Sequence, residues 1–286
     1  MRYDSEVMEK VAQRYRRDMW ESVVQEAIAE SGIEMEEFGP VLATAFGELP
    51  EIHLLQQIQG AAEPGAVAGG HLGAAVDWMR AREVDYRIPV AASRPGAAEA
   101  EAWLGQRGYE RGTAWIKMVR DGSAPDFEID PGIVVYRLGE EEGEGEGMSS
   151  IAAEGLEMPL VAGTLLYSLP QRLGWHCYTA AFGPEEVPVA TASMLIEGGV
   201  AQLGAGQTLE HARGRGCNAA LLHRRLRDAH WAGCHTVFVE VGECDLGSWS
   251  AVTRNLRMAG FEEAYEGRTW QRPALHPAEM PERFSG

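Results

Sequence analysis

A strand end that turns on two glycines straight into an amphipathic helix admits few folds, and the stretch from Leu209 to Leu222 has this form. Gly214 and Gly216 let the backbone adopt conformations closed to other residues and approach a ligand closely. The helix that follows, Cys217 to Ala232, places Ala219, Leu222, Leu226, Ala229 and Gly233 at steps of three and four, which makes one apolar stripe. Arg224, Arg227 and Asp228 lie off it. The amides of the first helical turn present the positive end of the helix dipole to the glycines, and that is a seat for an anion. Arg213 and Arg215 add donors suited to phosphate oxygens.

This basic knot sits in an acidic chain. The 286 residues include 43 Asp and Glu against 25 Lys and Arg, a net charge of −18. Such a field repels phosphate backbones and anionic lipid, so neither nucleic acid nor a membrane surface is an expected partner. The expected ligand is a small phosphorylated molecule. Hydrophobic residues make up 45% and charged residues 24%, an ordinary globular composition. The N-terminal residues Met1 to Glu6 carry both signs of charge with no apolar run behind them, and no window is long and apolar enough for a membrane span, so the expected location is cytoplasmic. Cys177, Cys217, Cys234 and Cys244 contain no C-x-x-C spacing and read as free thiols. His211, His223, His230 and His235 form no H-E-x-x-H, and no metal is expected.

Periodicity gives the organisation. In the first half it predicts a helix over 6–29, a strand near Ile52 to Leu55, a helix from Ala74 to Arg82, a strand from Tyr86 to Ala92, a helix from Pro95 to Arg107 and a strand from Ala114 to Val119. Asp121 to Asp126 reads as a linker. The second half opens with a strand at Ile133 to Leu138 and the acidic tract Glu140 to Gly147, which lacks the ligand spacing of a calcium loop and is expected to be a solvated loop. Helices at Ser149 to Ala153 and Pro159 to Ser168 follow. Three strands come next, at His176 to Phe182, Val189 to Ile196 and Val200 to Thr208, the last two joined by the hairpin signal Glu197-Gly198-Gly199. After the glycine turn and its helix come a strand at Thr236 to Val241, a helix at Ser250 to Met258 closed by Gly260, and a strand at Glu262 to Trp270. The order strand, helix, Gly108-Tyr109, strand recurs 152 residues later around Gly260-Phe261, which indicates two related units. The expected division is 1–122, 126–272 and a tail 273–286. The first unit's nearest glycine-rich turn, Gly69 to Gly73, carries no arginine and is expected to be degenerate.

No G-x-x-x-x-G-K-[ST] loop occurs, and Gly204 to Leu209 lacks the third glycine of a dinucleotide fingerprint. The segment Arg213-Gly-Arg-Gly216-Cys-Asn218 resembles the coenzyme motif [QR]-x-x-G-x-[GA] of the GNAT superfamily of N-acetyltransferases, matching at Arg213 and Gly216 and departing at Asn218. The strand and helix order from Ile133 to Trp270 resembles that superfamily as well. The resemblance implies an α/β (α+β) fold of two GNAT-like units, each a mixed, mostly antiparallel twisted sheet flanked by helices. It implies acetyl-CoA as cosubstrate, with the pyrophosphate on the amides of Arg213, Gly214, Arg215, Gly216, Cys217, Asn218 and Ala219, the pantetheine arm along the strand ending at Thr208, and Asn255 near the coenzyme. The implied reaction is direct acetyl transfer to a primary amine of a small molecule or peptide, by a monomer or homodimer. One alternative is a coenzyme-binding scaffold that has lost turnover; another, resting on the glycine-rich turn alone, is a hydrolase or nucleotide binder outside that superfamily.

The superfamily often places an acid on the fourth strand and a tyrosine in the last helix. Here those positions hold Gly204 to Gln207 and Leu256. Glu240 is the candidate base, its other reading being a carboxylate paired with a core-edge arginine; Glu243 is second. Cys217 and Cys244 are not expected to act as nucleophiles, because direct transfer needs no covalent intermediate.

Overall fold

The computed structural model of the chain describes residues 3–23, 32–47, 49, 55–139, 144–242 and 250–272. In the first half lie α1 (Ser5–Glu21), β1 (Ile33–Phe38), β2 (Val41–Phe46), β3 (Gln57–Gln59), α2 (His71–Arg80), β4 (Ile88–Ala91), α3 (Ala97–Gln106) and β5 (Glu110–Asp121). The second half holds β6 (Val134–Arg137), α4 (Glu144–Gly155), α5 (Leu160–Gly163), β7 (Trp175–Ala181), β8 (Ala190–Glu197), β9 (Val200–Thr208), α6 (Cys217–Trp231), β10 (Thr236–Gly242), α7 (Ala251–Met258) and β11 (Glu262–Gln271). The fold is mixed α/β. No described helix is long and apolar enough to cross a membrane.

Strands β1, β2 and β3 form a three-stranded sheet, and the others form an eight-stranded one in the order β4-β11-β5-β10-β9-β8-β7-β6. A parallel bridge between Gln57 and Arg87 ties the end of β3 to the approach of β4. Within the larger sheet β9 and β10 run parallel, with α6 as the crossover between them, as a parallel pair requires. The 152-residue echo has a structural counterpart. Strand β5, which follows Gly108-Tyr109, lies between β10 and β11, while β11, which follows Gly260-Phe261, lies between β4 and β5. Each half thus lends its last strand to the other, and the sheet runs without a break across residues 122–126. Both loaned strands leave their helix through the same cap: Gly108 and Gly260 have φ of 77° and 82°, and the amides of Tyr109 and Phe261 reach back to the carbonyls of Leu104 and Leu256 at 3.1 and 3.0 Å.

The sheet's two faces are covered differently. Helix α6 packs Ala220, Leu221, Leu222, Leu226 and Ala229 against Leu203, Val237 and Val241 on one side. Helix α1 packs Met8, Val11 and Tyr15 against Val119, Val200 and Phe238 on the other. Side chains alternate along a strand, so Trp115, Lys117, Phe238 and Glu240 all look toward α1. Helices α2 and α3 cover β2 to β4, and Trp270 from β11 joins that core.

Several expectations shift. Residues 33–46 hold the hairpin β1–β2, which periodicity leaves unassigned, and the third strand falls at 57–59; positions 52–54 lie outside the described residues, as does 24–29 of the first helix. The acidic tract is not a loop throughout, since Glu144 to Gly147 begin α4. Gly145 is required there, because a Cβ would lie 1.7 Å from the carbonyl oxygen of Tyr167. The helix expected from Pro159 to Ser168 breaks into α5 and short 3-10 turns. The Gly198-Gly199 hairpin turn has φ of 55° and 77°, the pair of positive values that a two-residue turn of this hand demands.

Burial on β7 makes a pH prediction. Burial, with Arg137 second, lowers the pKa of His176 from 6.5 to about 4, and its buried Nδ1 has no partner among the described residues. The unfolded chain therefore binds this proton more readily. Stability is held above the unfolded value and lost as pH falls from 6.5 toward about 4. With allowance for partial exposure the loss is on the order of 2 kcal/mol. Denaturant melts of wild type and His176→Gln across that window check it: the variant's curve should be flatter, and parallel curves would refute the assignment.

Candidate active site

Strands β9 and β10 pair from Val200 with Thr236 to Leu203 with Val239 and then separate. The separation starts at a bulge, where the β8–β9 register shifts between Thr191 and Ser193 and Ala205 takes φ 44°. Such bulges bend a strand away from its neighbour. Gly204 is fixed by α1: a Cβ there would stand 2.2 Å from the Tyr15 hydroxyl, which pairs with Ser193 Oγ at 2.6 Å. The result is a cleft bounded by Gly204 to Thr208 on one side and Glu240 to Gly242 on the other.

The glycine turn lies at the cleft's α6 end. Gly214 has φ 75°, and Gly216, which caps α6, has φ 95°. The first helical bond is Ala220 N–H to Gly216 O at 3.0 Å. Among the described residues nothing accepts from the amides of Gly214, Arg215, Gly216, Cys217, Asn218 or Ala219, the orphan donors that every helix start leaves. Arg213 is used differently from the expectation: its amide, expected to meet the pyrophosphate, donates to Glu210 O at 3.1 Å. Its guanidinium donates to Thr208 O at 3.2 Å and Gly155 O at 3.0 Å, which clasps the turn to β9 and to the end of α4. Arg215 stacks on Phe182, 3.5 Å from the ring centre. Asn255 on α7 donates to Asn218 Oδ1 at 3.0 Å, so these two candidates meet. Cys217 is buried, and burial raises its thiol pKa, which disfavours the thiolate a nucleophile needs. Ala219 is half-buried in the first turn of α6.

The first half shows the contrast. Gly70 caps α2 with φ 74°, the place Gly216 has on α6. Here three of the amides are already engaged: Gly69 donates to Gly65 O, Gly70 to Val67 O and Leu72 to Ala66 O, at 2.8, 2.9 and 2.8 Å. The His71 ring lies within 2.7 Å of where a Cβ on Gly69 would stand. This turn offers an anion few donors.

Glu240 projects toward α1 from the β10 edge of the cleft, its side chain 42% exposed. Directly across the ladder on β5 is Lys117, and across from Lys117 on β11 is Tyr265. Lys117 Nζ lies 2.7 Å from Glu9 Oε1 and 3.8 Å from Glu240 Oε2, and the Tyr265 hydroxyl donates to the same Glu9 oxygen at 2.6 Å. Burial, and then the Glu9 carboxylate, push the Tyr265 pKa up, so its hydroxyl stays protonated and donates. The sequence reading missed Glu9, Lys117 and Tyr265. A signal existed: only two of the 25 basic residues are lysines, and one stands inside the apolar strand around Ile116 and Met118.

Glu243 and Cys244 lie outside the described residues. No group of three or more His, Cys, Asp and Glu among the described residues is placed to hold a metal ion. The four histidines are scattered: the His223 ring sits edge-on to Phe127, His230 Nδ1 bonds Gly122 O at 2.9 Å and His235 Nδ1 bonds Thr236 Oγ1 at 3.0 Å.

No protein-family model and no curated protein matches the chain. Solved structures do. A GCN5-related N-acetyltransferase from Kribbella flavida superposes with TM-score 0.60 at 18% identity, covering 90% of this chain and 95% of that one. Another from Sphaerobacter thermophilus gives 0.58 at 16%, covering 84% and 80%. A tandem GNAT protein from the clavulanic acid biosynthesis pathway gives 0.56 at 14%, covering 82% and 79%. At these identities the likeness is one of fold.

Proposed function

With the GCN5-related N-acetyltransferase fold as premise, we propose that the chain moves an acetyl group from acetyl-CoA directly to a primary amine of a small molecule or peptide. The observation that carries this reading is the row of unengaged amides from Gly214 to Ala219 beside the cleft between β9 and β10. Those amides and the helix dipole suit the diphosphate of a coenzyme. Arg213 holds the turn in shape, and Asn218 with Asn255 closes α6 against α7. Thr208 ends the strand along which the pantetheine arm would run.

Glu240 is the group at the cleft able to take a proton from the incoming amine. An α-amino group, with a pKa near 7.7 to 8.0, is partly neutral without help, unlike a lysine near 10.4; a thiol near 8.5 leaves without a strong acid. A buried Cys217 makes transfer through a thioester on the protein unfavourable. A second reading, coenzyme binding without turnover, is favoured by one observation: the α7 position where a proton donor to sulfur would stand is the buried Leu256.

Calorimetry with acetyl-CoA and with ADP tests the seat. Arg213→Glu removes two clasping bonds and sets a carboxylate beside the free amides, where it competes with the diphosphate. It should weaken acetyl-CoA binding about tenfold or more, each 1.4 kcal/mol being one factor of ten. Unchanged affinity, or preference for ADP, would reject the coenzyme reading. Release of free thiol with a panel of amines separates enzyme from binder, and silence across the panel would favour the binder.

A further inference from the structure

The first half has a cleft of its own. Beyond the Gln57–Arg87 bridge, β3 and β4 do not pair, and a cavity of about 40 Å3 opens there beneath α1, its walls including Gln13, Gln59, Arg94, Trp115 and Glu240. That volume takes one functional group, the end of a molecule. The turn before α2 offers a diphosphate few free amides, so the cleft does not suit a second coenzyme.

Among the described residues, two polar atoms of the lining side chains are buried without a partner. Arg94 and Glu63 are closed on each other by two bonds of 2.9 and 2.6 Å, and Glu9 is taken by Lys117 and Tyr265. Gln59 gives its amide nitrogen to Gln57 at 3.3 Å, but its Oε1 is buried with no partner among the described residues. Trp115 is only 6% exposed, and its Nε1 has no acceptor among the described residues. Buried polar atoms of this kind call for explanation. Glu240 faces both this cavity and the cleft of the second half.

We propose that the first half's cleft is the acceptor pocket, and that it takes a primary amine bearing an oxygen on the neighbouring carbon or one atom beyond, such as an amino alcohol or an α-amino amide. The nitrogen donates to Gln59 Oε1 and Glu240; the oxygen accepts from Trp115 Nε1 as the indole adjusts to it. This rests on the transferase reading of the second half for its chemistry, but not for its binding.

Titration of the 15N-labelled full chain with glycinamide, followed at the assigned Trp115 indole resonance, tests it. A saturable shift is expected at millimolar ligand, with n-propylamine binding about five- to tenfold more weakly, as the loss of one hydrogen bond implies. Gln59→Leu should weaken glycinamide by a similar factor. No shift with glycinamide, or equal affinity for the two amines, would overturn the proposal. The titration needs no acetyl-CoA. A selective shift in a protein that fails to bind acetyl-CoA would keep the pocket and remove the transferase reading; acetyl-CoA binding without the shift would do the reverse.

Discussion

Lys117→Met is expected to destabilise the protein by about 3–5 kcal/mol, because breaking a buried pair leaves the other charge uncompensated. The lysine side chain is 1% exposed and that of Glu9 is 17% exposed. Removing the ammonium strands Glu9 against the sheet and takes one of two nearby cations from Glu240, Arg16 being the other. The effect is a fall in melting temperature of about 10 °C, at 2–4 °C per kcal/mol for a chain of this class. The double variant Glu9→Leu/Lys117→Met should recover most of the loss, since replacing both members by apolar groups is often near neutral. A single variant as stable as wild type, or a double variant no better than the single, would show that the pair does not hold α1 to the sheet.

Gly216→Trp should abolish measurable acetyl-CoA binding, a loss of about a hundredfold or more, close to 3 kcal/mol. At φ 95° a residue with a Cβ is strained, and its Cβ would stand 3.1 Å from Ile133 Cδ1. The indole would then cover the amides meant for the diphosphate. Gly214→Ala is the control: it also sits at positive φ, but with nothing within 4 Å of a Cβ, so it should cost stability with a much smaller effect on affinity. Calorimetry beside a thermal melt decides. Equal coenzyme affinity in wild type and a folded Gly216→Trp would mean that the ligand lies elsewhere.

The sequence made most of the second half legible, for physical reasons that can be named. Strands β7 to β9 carry dense apolar residues and a turn whose glycines allow one geometry, and α6 is long enough for its stripe to stand out. Strand β2 was opaque because all six of its residues are buried, which erases the alternation that marks a strand, and half-buried β1 is interrupted by three glutamates. The pattern Phe38-Gly39-Pro40-Val41 could have revealed it: Gly39 at φ 56° before a proline joins paired Phe38 and Val41, a two-residue hairpin with glycine leading. The candidate site was half legible. A glycine turn before a helix is a local signal, so Arg213 to Ala219 could be found, although the clasping role of Arg213 depends on Gly155, far away in the chain. Lys117, Tyr265 and Glu9 become neighbours of Glu240 only through strand pairing across the halves, which no local pattern encodes.

The mutual loan of strands bears on how the chain is born. Strand β5 leaves the ribosome about 120 residues ahead of β10 and about 150 ahead of β11, the two strands that flank it. At 5–20 residues per second that is a wait on the order of ten seconds, with both backbone edges of a twelve-residue strand uncovered. A half expressed by itself would lack the strand lent by the other, leaving β10 and β11 with no β5 between them, or β4 and β5 with no β11. The eight-stranded sheet therefore closes only once the second half has been made.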